Sequence, residues 1–505
     1  MDRLNPQFAR HLYRSVQSGL RARGTVMKLY TQLAETLAAR IEQGYYRPGD
    51  RLPSVRALSQ EHGVSLSTVQ QAYRLLEDGG LAVPRPKSGY FVPPRRAAPA
   101  LPAMTRAAQR PVDVSQWSDV LELVKRGARD GLVQLGRGMP DVTSPTLRPL
   151  LRSLAQVARR PDLGGLYYDA IQGSLPLREQ ISRLLVDAGC QIPASDLIIT
   201  TGCHEALSAS IRAICQPGDI VAVDSPSFHG AMQALKGFGM KALELPTDPI
   251  NGISLEALEM ALEQWPIKLI QLTPNCNNPL GYIMPEARKR ALLTLAQRYD
   301  VAIIEDDVYG DLAYRYPRPR TIKSFDEDGR VLLCSSFSKT VAPGIRVGWI
   351  APGRYFDRLL HMKYISTGAT ATQPQIALAE FLASGAYEPH VRRMRSQYQN
   401  GRDQMIDWVM KYFPEGTRAS RPQGGFMLWV ELDEGFDTLR LNRALLDKGV
   451  QIASGSLFSA SGKYRSCLRM NYSRKPDAEQ EAAVRKVGET VKALMAEMAG
   501  MQAEA

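Results

Sequence analysis

Apolar and polar positions near the start of the chain follow a helical period. The residues Leu29, Leu33, Leu37 and Ile41 recur four apart, which predicts an amphipathic first helix. Gly44 and the turn YYRPGD that follows it predict the end of this helix.

Two shorter helical segments come next and are joined by a turn. Ser54 and Ser65 are good N-caps, because a serine hydroxyl accepts a hydrogen bond from the first helical turn, and Gly63 ends the first segment. The second segment, SLSTVQQAYRLLEDGG, has polar first turns and directs three residues inward: Val69, Tyr73 and Leu76. This pattern predicts a helix-turn-helix, whose second helix enters a DNA major groove with its N-terminus first. LAVPRPKSGYFV then predicts two short strands around a basic turn, which is a wing.

From about residue 112 the pattern changes to short apolar runs separated by longer helical stretches. Near-continuous apolar strands between helices are typical of a parallel sheet that is covered on both faces. The runs are Leu197–Thr200, Ile220–Asp224, Leu269–Thr273, Val301–Glu305, Val331–Cys334 and Val347–Ile350. We therefore expect an α/β body with a mostly parallel central sheet.

The position of the charged residues along the chain indicates a class of partner, whereas the overall composition does not. The 505 residues, 44% hydrophobic and 23% charged, suffice for two or three globular domains. No apolar run reaches the roughly 18 to 20 residues of a membrane span, and no signal-peptide pattern opens the chain. Residues 1–111 carry 17 Lys and Arg against 7 Asp and Glu, which is most of the net charge of +12. A basic front on a near-neutral body favours a polyanion binder, the alternative being a solvated basic surface without a partner.

The six cysteines are scattered and form no CxxC pair. This spacing argues against a zinc site or a disulfide framework and suits a reducing cytoplasm. We expect a cytoplasmic protein without a metal.

The same patterns give the domain organisation. Residues 1–27 are predicted to be a basic flexible extension, 28–92 the DNA-binding domain, and 93–111 a linker rich in Pro, Ala and Arg. Residues 112–500 form the body, with a smaller α/β subdomain from about residue 390. For the extension, two alternatives stay open: an upstream start codon with Met27 as the functional one, and a mitochondrial-type targeting peptide.

Lys339, in CSSFSKTVAPGIRVGW just past an apolar run, is the candidate reactive residue. A lysine amine can form a Schiff base with an aldehyde cofactor, provided that a phosphate and a ring nitrogen are held nearby. Asp306 ends the run VAIIED and can pair with a protonated pyridine nitrogen, while Tyr309 and Asn278 can hydrogen-bond the ring's phenolic oxygen. The alternatives are a solvated lysine, an N-cap aspartate and an ordinary Asn-Pro turn.

The stretch LIITTGCHEALSASIRAI reads as strand, glycine turn and helix, a geometry that aims backbone N–H groups at an anion. The three N–H groups belong to Gly202, Cys203 and His204. Hydroxyl and guanidinium donors on the Lys339 segment complete a phosphate cup: Ser336, Ser338 and Arg346. Phe228, in DSPSFHG, can stack on the pyridine ring, or it is a core aromatic. All these residues follow the carboxyl ends of predicted parallel strands, where open α/β sheets bind ligands.

Residues 29–92 resemble the DNA-binding domain of GntR-type bacterial regulators over its whole length. The resemblance implies that these residues approach DNA phosphates or bases: Arg56, Ser67, Thr68, Gln70, and the wing residues from Lys87 to Gly89. Many relatives carry Arg where this chain has Leu66, which could contact a thymine methyl instead. The alternative for Arg56 is a surface salt bridge.

Residues from about 112 to 500 resemble fold-type I pyridoxal 5'-phosphate (PLP) enzymes of the aspartate-aminotransferase-like group. The matching motifs are TGCHEAL, SPSFHG, NNPLG, EDDVY, SSFSK with GIRVG, and LRMNYS. The resemblance implies that Lys339 carries PLP as an internal aldimine and that Asp306, Asn278 and Tyr309 address its ring. It also implies that Arg469 clamps a ligand α-carboxylate under the loop of Gly138. Tyr168 matches a tyrosine that reaches the neighbouring subunit's phosphate.

Two positions depart from the pattern of that group. Phe228 stands where Tyr is common, which retains stacking and loses a hydroxyl. Cys203 replaces the usual Ser or Thr of the phosphate loop, which weakens one expected phosphate contact.

A GntR-type head joined to an aminotransferase-like body is similar to the MocR-type regulators. The resemblance implies a homodimer that binds double-stranded DNA, with PLP and an amino acid or other amine as effectors. One alternative is an active PLP-dependent aminotransferase with a DNA-binding appendage. Another is a purely structural DNA-bridging dimer.

Overall fold

The computed structural model describes residues 29–78, 80–85, 88–93, 99–104, 110–114, 121, 125, 131–160 and 164–503. The chain divides into two compact units, residues 1–97 and 98–505. The predicted extension 1–27 lies outside the described residues, as does Lys87 of the predicted wing. The first unit is called the head and the second the body.

Within its described residues, the head has three helices followed by a two-stranded antiparallel hairpin. Its elements are α1 (Leu29–Glu42), α2 (Val55–His62), α3 (Leu66–Asp78), β1 (Val83–Arg85) and β2 (Gly89–Phe91). The winged helix-turn-helix that the sequence predicts is thus present.

Both serine caps of the helix-turn-helix form as predicted. The Ser54 hydroxyl accepts a hydrogen bond from the amide of Ala57 at 3.1 Å, and the Ser65 hydroxyl accepts one from the amide of Thr68 at 3.1 Å. Gly63 ends α2 in the left-handed conformation, with φ of 63°. These local signals are readable from sequence because each depends on residues at most three positions apart.

The core of the head contains most of the predicted inward residues. Those that are buried are Leu33, Leu37, Ile41, Val69, Tyr73 and Leu76. Leu29 is 61% exposed, so its predicted place on the inward face was wrong: it begins α1, where a side chain has no preceding turn to pack beside. The Tyr73 ring stacks on Tyr90 of β2 with a centroid distance of 4.1 Å, which fixes the wing against α3.

The body is built on an eight-stranded sheet of order β4-β11-β10-β9-β8-β5-β6-β7. Its strands are β4 (Ile198–Thr200), β5 (Ile220–Ser225), β6 (Lys241–Asp248), β7 (Gly252–Ile253), β8 (Ile267–Leu272), β9 (Ala302–Asp306), β10 (Val331–Ser336) and β11 (Gly348–Ala351). The central strands pair in parallel, whereas β11 is antiparallel to both of its neighbours and β7 is antiparallel to β6. The sheet is therefore mostly parallel, as predicted, but the apolar run that became β11 is reversed.

Helices flank this sheet and continue into a smaller subdomain. They are α4 (Arg148–Val157), α5 (Leu175–Asp187), α6 (Cys203–Ile214), α7 (His229–Gly237), α8 (Leu255–Gln264), α9 (Glu286–Arg298), α10 (Phe356–Thr367), α11 (Thr372–Ala383), α12 (Tyr387–Tyr412), α13 (Thr438–Leu446) and α14 (Ala478–Ala503). The smaller subdomain has an antiparallel sheet of order β12-β13-β16-β15, formed by β12 (Arg418–Ala419), β13 (Met427–Glu431), β16 (Cys467–Asn471) and β15 (Ala453–Ser454). A further parallel pair joins β3 (Val133–Gln134) to β14 (Val450–Gln451).

The described parts of the predicted linker contact the body at two places. The Ala100 carbonyl accepts a hydrogen bond from the Ala419 amide at 3.0 Å, and the Ala103 amide donates to Glu431 Oε2 at 3.1 Å. Farther along, Val112 and Ala242 of β6 exchange two backbone hydrogen bonds of 2.9 Å. The first contacts lie on the smaller subdomain and the last lies on the large sheet.

The described residues contain no helix that is long and apolar enough to cross a membrane. They also contain no group of three or more His, Cys, Asp or Glu side chains placed to hold a metal ion. All six cysteines are buried free thiols.

Candidate functional site

A cavity of about 140 Å³ lies at the carboxyl ends of the central strands. Its walls include ten of the predicted cofactor residues: Cys203, His204, Phe228, Asn278, Asp306, Tyr309, Ser336, Ser338, Lys339 and Arg346. Parallel strands bring these distant positions together because their carboxyl ends share one edge of the sheet. Pattern reasoning missed four other wall residues: Leu207, Thr273, Val308 and Pro343. Thr273 had a readable signal, since it directly follows β8.

Lys339 is held at this cavity by the Gly138 loop, which was predicted to cover the ligand carboxylate at Arg469. Its Nζ donates a hydrogen bond to the carbonyl oxygen of Gly138 at 2.7 Å. Burial, and after it the nearby guanidinium of Arg469, together lower the pKa of Lys339 to about 8. A lysine with this pKa is partly neutral near physiological pH, and its amine can then act as a nucleophile.

Asp306 ends β9 with its carboxylate at the cavity wall, 5% exposed. Burial is the main cause that raises its pKa to about 7, and the neighbouring charge of Asp307 adds to the effect. The thiol of Cys203 donates to Asp306 Oδ1 at 3.7 Å. The predicted role of Cys203 is that of its backbone N–H in the phosphate loop, and its side chain faces the Asp306 carboxylate.

Residues of the predicted phosphate cup lie together around the N-terminus of α6. Gly202 adopts φ of +76° there, and a Cβ at this position would lie 2.4 Å from Arg346 Nη2. The guanidinium of Arg346 donates to the Thr201 carbonyl at 2.9 Å and lies 3.5 Å from the Ser338 hydroxyl. The cup therefore combines a cation and hydroxyl groups with the positive end of a helix, which together favour a dianion.

Arg469 lies deep beside the cavity, at 1% exposure. Its Nη1 donates to Asn278 Oδ1 at 2.9 Å and its Nη2 donates to the Gly136 carbonyl at 2.6 Å. Its Nε is buried without a hydrogen-bond partner in the described structure, and its guanidinium lies 4.8 Å from the centre of the Phe458 ring. Burial lowers the pKa of Arg469 to about 10. A buried guanidinium without a carboxylate partner is a ready receptor for an anionic ligand.

Phe228 and Tyr168 have different surroundings. The Phe228 ring is at the cavity wall and meets the ring of His204 edge-on, with a centroid distance of 5.7 Å. Tyr168 is 95% exposed and does not line the cavity of its own chain. Its contact with a neighbouring subunit's phosphate stays a prediction.

The head presents a polar surface along α2 and the start of α3. Arg56, Ser67 and Gln70 are exposed, Thr68 is half-buried, and Leu66 is 48% exposed. The Ser65 hydroxyl lies 2.8 Å from both the Ser67 and the Thr68 hydroxyls. Gly89, at the wing, has φ of +101°.

Arg56 has no ion pair among the residues that the structure describes, where the salt bridges of the head involve Glu61. The surface salt bridge considered for Arg56 is therefore not seen in that part of the chain.

Two protein families match this chain, one for each unit. "Bacterial regulatory proteins, gntR family" matches residues 29–92, and "Aminotransferase class I and II" matches residues 134–487. The second match spans well over half of the chain.

Individual relatives divide into regulators and enzymes. The uncharacterized HTH-type transcriptional regulator YjiR of Escherichia coli K12 is 54% identical over 92% of this chain and 99% of its own length. Aromatic-amino-acid aminotransferase 1 of Thermococcus litoralis is 30% identical over 74% of this chain and 91% of its own length. The crystal structure of the multiple substrate aminotransferase from Thermococcus profundus superposes with a TM-score of 0.70 at 29% identity, over 76% of this chain and 96% of the other.

The family and its solved members imply PLP as the cofactor, and the residues around the cavity fit it. The absent Cβ of Gly202 leaves room for an anion beside Arg346, and a carboxylate and a lysine amine line the same cavity. The anion site beside Arg346 thus matches the PLP phosphate, the carboxylate matches its pyridine nitrogen, and the lysine amine matches its aldehyde. With 54% identity to an HTH-type regulator over nearly the whole length, the chain belongs to the MocR-type regulators, which join a GntR head to a body of the class I and II aminotransferase family.

Proposed function

We propose that this protein is a homodimeric transcription regulator that binds PLP through Lys339, senses an amino-group ligand in the same cavity, and binds an operator through its heads. The observation that carries the proposal is the cavity itself: a reactive lysine, a buried carboxylate and an anion cup line it, and the same chain has an exposed helix-turn-helix. Residues 28–92 act as the DNA-binding domain and residues 112–500 as the sensor.

Arg469 gives the sensor its ligand class. The guanidinium is held by an amide oxygen and a carbonyl oxygen, neither of which neutralises its charge. A ligand carboxylate would supply the missing counter-charge and can bind Arg bidentately. Bound PLP supplies an aldehyde that a primary amine can attack and a ring that withdraws electrons. A molecule with both groups, an α-amino acid, therefore fits best.

The DNA-binding surface rests on Arg56 and on the first turn of α3. We infer that Arg56, Ser67, Thr68 and Gln70 contact DNA, together with the wing at Gly89. The exposed hydroxyl and amide groups can bond to phosphates and base edges, and exposed Leu66 can contact a thymine methyl. Two heads on a dimer would bind two half-sites.

Signal transfer requires that the ligand bind two conformations unequally. The linker gives a physical route, because Ala100 and Ala103 contact the smaller subdomain, and Val112, which directly follows the linker, is bonded to the large sheet. A movement of one subdomain against the other changes the distance between these anchors. We propose that this change reaches the heads through the linker.

An active aminotransferase with a DNA-binding appendage is the second candidate. It is favoured by the presence of Lys339, Asp306 and Arg469 at one site and by the relatives that are named aminotransferases. The two candidates differ in whether ligand binding leads to turnover.

The deciding experiment follows the visible absorption of the PLP-bound protein during titration with a panel of amino acids, with Lys339→Ala as the control. We expect one amino acid to shift the Lys339-dependent band persistently, without accumulation of keto acid, and to change affinity for duplexes selected from a random pool. Repeated conversion of added amino acid to keto acid would establish the enzyme instead. No spectral response in the panel, or a response without any change in DNA binding, would contradict the sensor.

A further inference from the structure

A second charged cluster lies directly behind the cofactor carboxylate. Asp306 and Asp307 are consecutive, but only Asp306 lines the cofactor cavity, whereas Asp307 faces a separate small cavity on the other side. The Asp307 carboxylate is 3% exposed and accepts a hydrogen bond from Asn275 Nδ2 at 2.8 Å. Two adjacent buried carboxylates repel each other unless a cation neutralises one of them.

Arg318 is that cation. Its Nη2 binds Asp307 Oδ2, and its Nη1 binds Asp311 Oδ1 at 2.5 Å, while its side chain is only 8% exposed. A Cβ at Gly310 would lie 2.1 Å from Arg318 Nη2, so glycine leaves the room that this bridge occupies. One guanidinium thus bridges two carboxylates that sit one and five positions after Asp306.

The bridge is also tied to the helix that leads into the smaller subdomain. Asp311 Oδ2 accepts a hydrogen bond from the Tyr387 hydroxyl at 2.6 Å, and the Asp311 carbonyl accepts one from Arg395 Nε at 2.6 Å. Both donors lie on α12 (Tyr387–Tyr412). The segment that carries Asp306 and Tyr309 is therefore anchored to α12 through Asp311.

Charged and titratable groups face this segment from every side. Toward the cavity, Asp306 meets the Cys203 thiol and the Lys339 amine. On the opposite side, Glu305, Lys289 and Arg318 interact with Asp307, as do the thiols of Cys190 and Cys276, while Arg395 faces Asp311. Lys289 Nζ is hydrogen-bonded to Asn275 Oδ1 at 2.6 Å, so Arg318 is the cation that contacts the Asp307 carboxylate directly.

We propose that Arg318 is a positioning residue of the cofactor site: it neutralises Asp307 and Asp311, which limits the repulsion that Asp307 exerts on Asp306 and favours the charged form of Asp306 toward the ring nitrogen, and it holds the Tyr309 segment on α12. The inference rests on the role of Asp306 proposed above. Arg318 touches neither cofactor nor ligand and acts through its two aspartates. Nothing in the sequence pattern marked it, because its partners are separated from it by a turn with no periodic signal.

The test is the pH profile of PLP affinity, measured by fluorescence titration of the full-length protein. Arg318→Met leaves Asp307 without its cation beside Asp306, which favours protonation of Asp306. As pH falls, the variant should therefore lose PLP affinity with a midpoint at higher pH than the wild type, and its Kd for PLP near neutral pH should be about tenfold higher. Arg318→Met combined with Asp307→Asn should bring the midpoint back. Asp307→Asn alone should move it toward lower pH.

Arg330→Met is the matched control. Arg330 is another buried arginine, 5% exposed on its side chain and bound to Asp328, but it lies outside the cavity walls. Its loss should lower thermal stability without moving the pH midpoint. Equal profiles for Arg318→Met and Arg330→Met, or a double variant that does not recover, would overturn the proposal.

Should Arg318→Met fail to fold, Arg318→Lys and Asp307→Asn still decide the matter. A lysine retains the charge and should keep the wild-type midpoint, and Asp307→Asn has an expected shift of defined sign. An unmoved midpoint in Asp307→Asn would overturn the electrostatic role. If the wild type shows the Lys339-dependent absorption band, PLP binding at the proposed site holds, and an unmoved midpoint then counts only against the role of Arg318.

Discussion

Lys339 is the residue whose ionisation state decides when the cavity can react. Burial and the charge of Arg469 bring its pKa from 10.5 to about 8. Only the neutral amine attacks an aldehyde, so covalent uptake of PLP by the cofactor-free protein should rise with pH and level off above about pH 8. Stopped-flow absorption gives this rate, and a midpoint near 10.5 would contradict the buried environment. Lys268→Ala, an exposed lysine on β8, serves as the control.

The same pKa difference determines how the free energy of unfolding changes with pH. Between about pH 8 and 10.5 the unfolded chain binds a proton at Lys339 that the folded chain has released. The protonated amine of Lys339 therefore destabilises the fold below about pH 8, and this penalty is relieved as pH rises through that window.

Arg469 offers a second prediction at the residue scale. Arg469→Met removes the positive charge that depresses the pKa of Lys339 after burial, so the midpoint of PLP uptake should move upward, toward 10.5. The same variant should lose the response to amino acids because their carboxylate has no partner. Spectral titration measures both effects. An unchanged midpoint would show that burial alone sets the pKa.

The sequence predicted the chemistry-bearing residues better than their contacts. Lys339 and Asp306 were readable because each follows an apolar strand in a local motif. Cys203 was predicted to direct its backbone N–H at an anion, whereas the contact of its thiol with Asp306, 103 positions away, was not predicted. Such a contact depends on tertiary packing, which no local pattern records.

At the scale of elements, the turn between β4 and α6 is the most constrained part of the cofactor site. Gly202→Ala would place a methyl group 2.4 Å from Arg346 Nη2 and force φ of +76° on a residue with a Cβ. We expect PLP affinity to fall at least about tenfold, with Arg346 displaced. Equilibrium dialysis against PLP measures the loss.

Gly344→Ala is the matched control for this turn. Gly344 lies two positions before Arg346 in the chain, and a Cβ there would meet no atom within 4 Å. PLP affinity should be unchanged in this variant. If the two alanine variants bind PLP equally, the cup does not depend on the close approach of Gly202 and Arg346.

Helices and strands were predictable where their buried positions form a regular apolar pattern in the sequence. The parallel strands appear as apolar runs because both faces of the sheet are covered. Lys241–Asp248 was missed, since the run KALELPTD is interrupted by charged residues and lies toward one end of the sheet. The reversed direction of β11 was also missed: strand direction depends on the connection, and an apolar run looks the same in both directions.

At the scale of the whole molecule, the head should behave as a polyelectrolyte ligand of DNA. Arg56→Glu reverses an exposed charge that has no ion pair in the described part of the chain, so affinity for a selected duplex should fall about tenfold at moderate salt. The slope of affinity against salt concentration should also become shallower. Fluorescence anisotropy measures both, with Arg485→Glu on the body surface as the control. Undiminished affinity would remove Arg56 from the interface.

Communication between the two units is testable at the linker. Glu431 Oε2 accepts the hydrogen bond of the Ala103 amide, while its Oε1 pairs with Arg418 at 3.0 Å. Glu431→Leu breaks both contacts, whereas Arg418→Leu breaks only the ion pair. The quantity to measure is the ratio of DNA affinities with and without PLP, because uniform charge effects cancel in it.

We expect both variants to bind PLP normally. In Glu431→Leu the affinity ratio should move toward one, because the linker no longer follows the smaller subdomain, while Arg418→Leu should keep the wild-type ratio. The reasoning is thermodynamic: a ligand changes DNA affinity only through contacts that differ between two states, and the linker bond is one such contact. If both variants keep the wild-type ratio, the signal bypasses this contact. If both lose it equally, the ion pair rather than the linker carries the coupling.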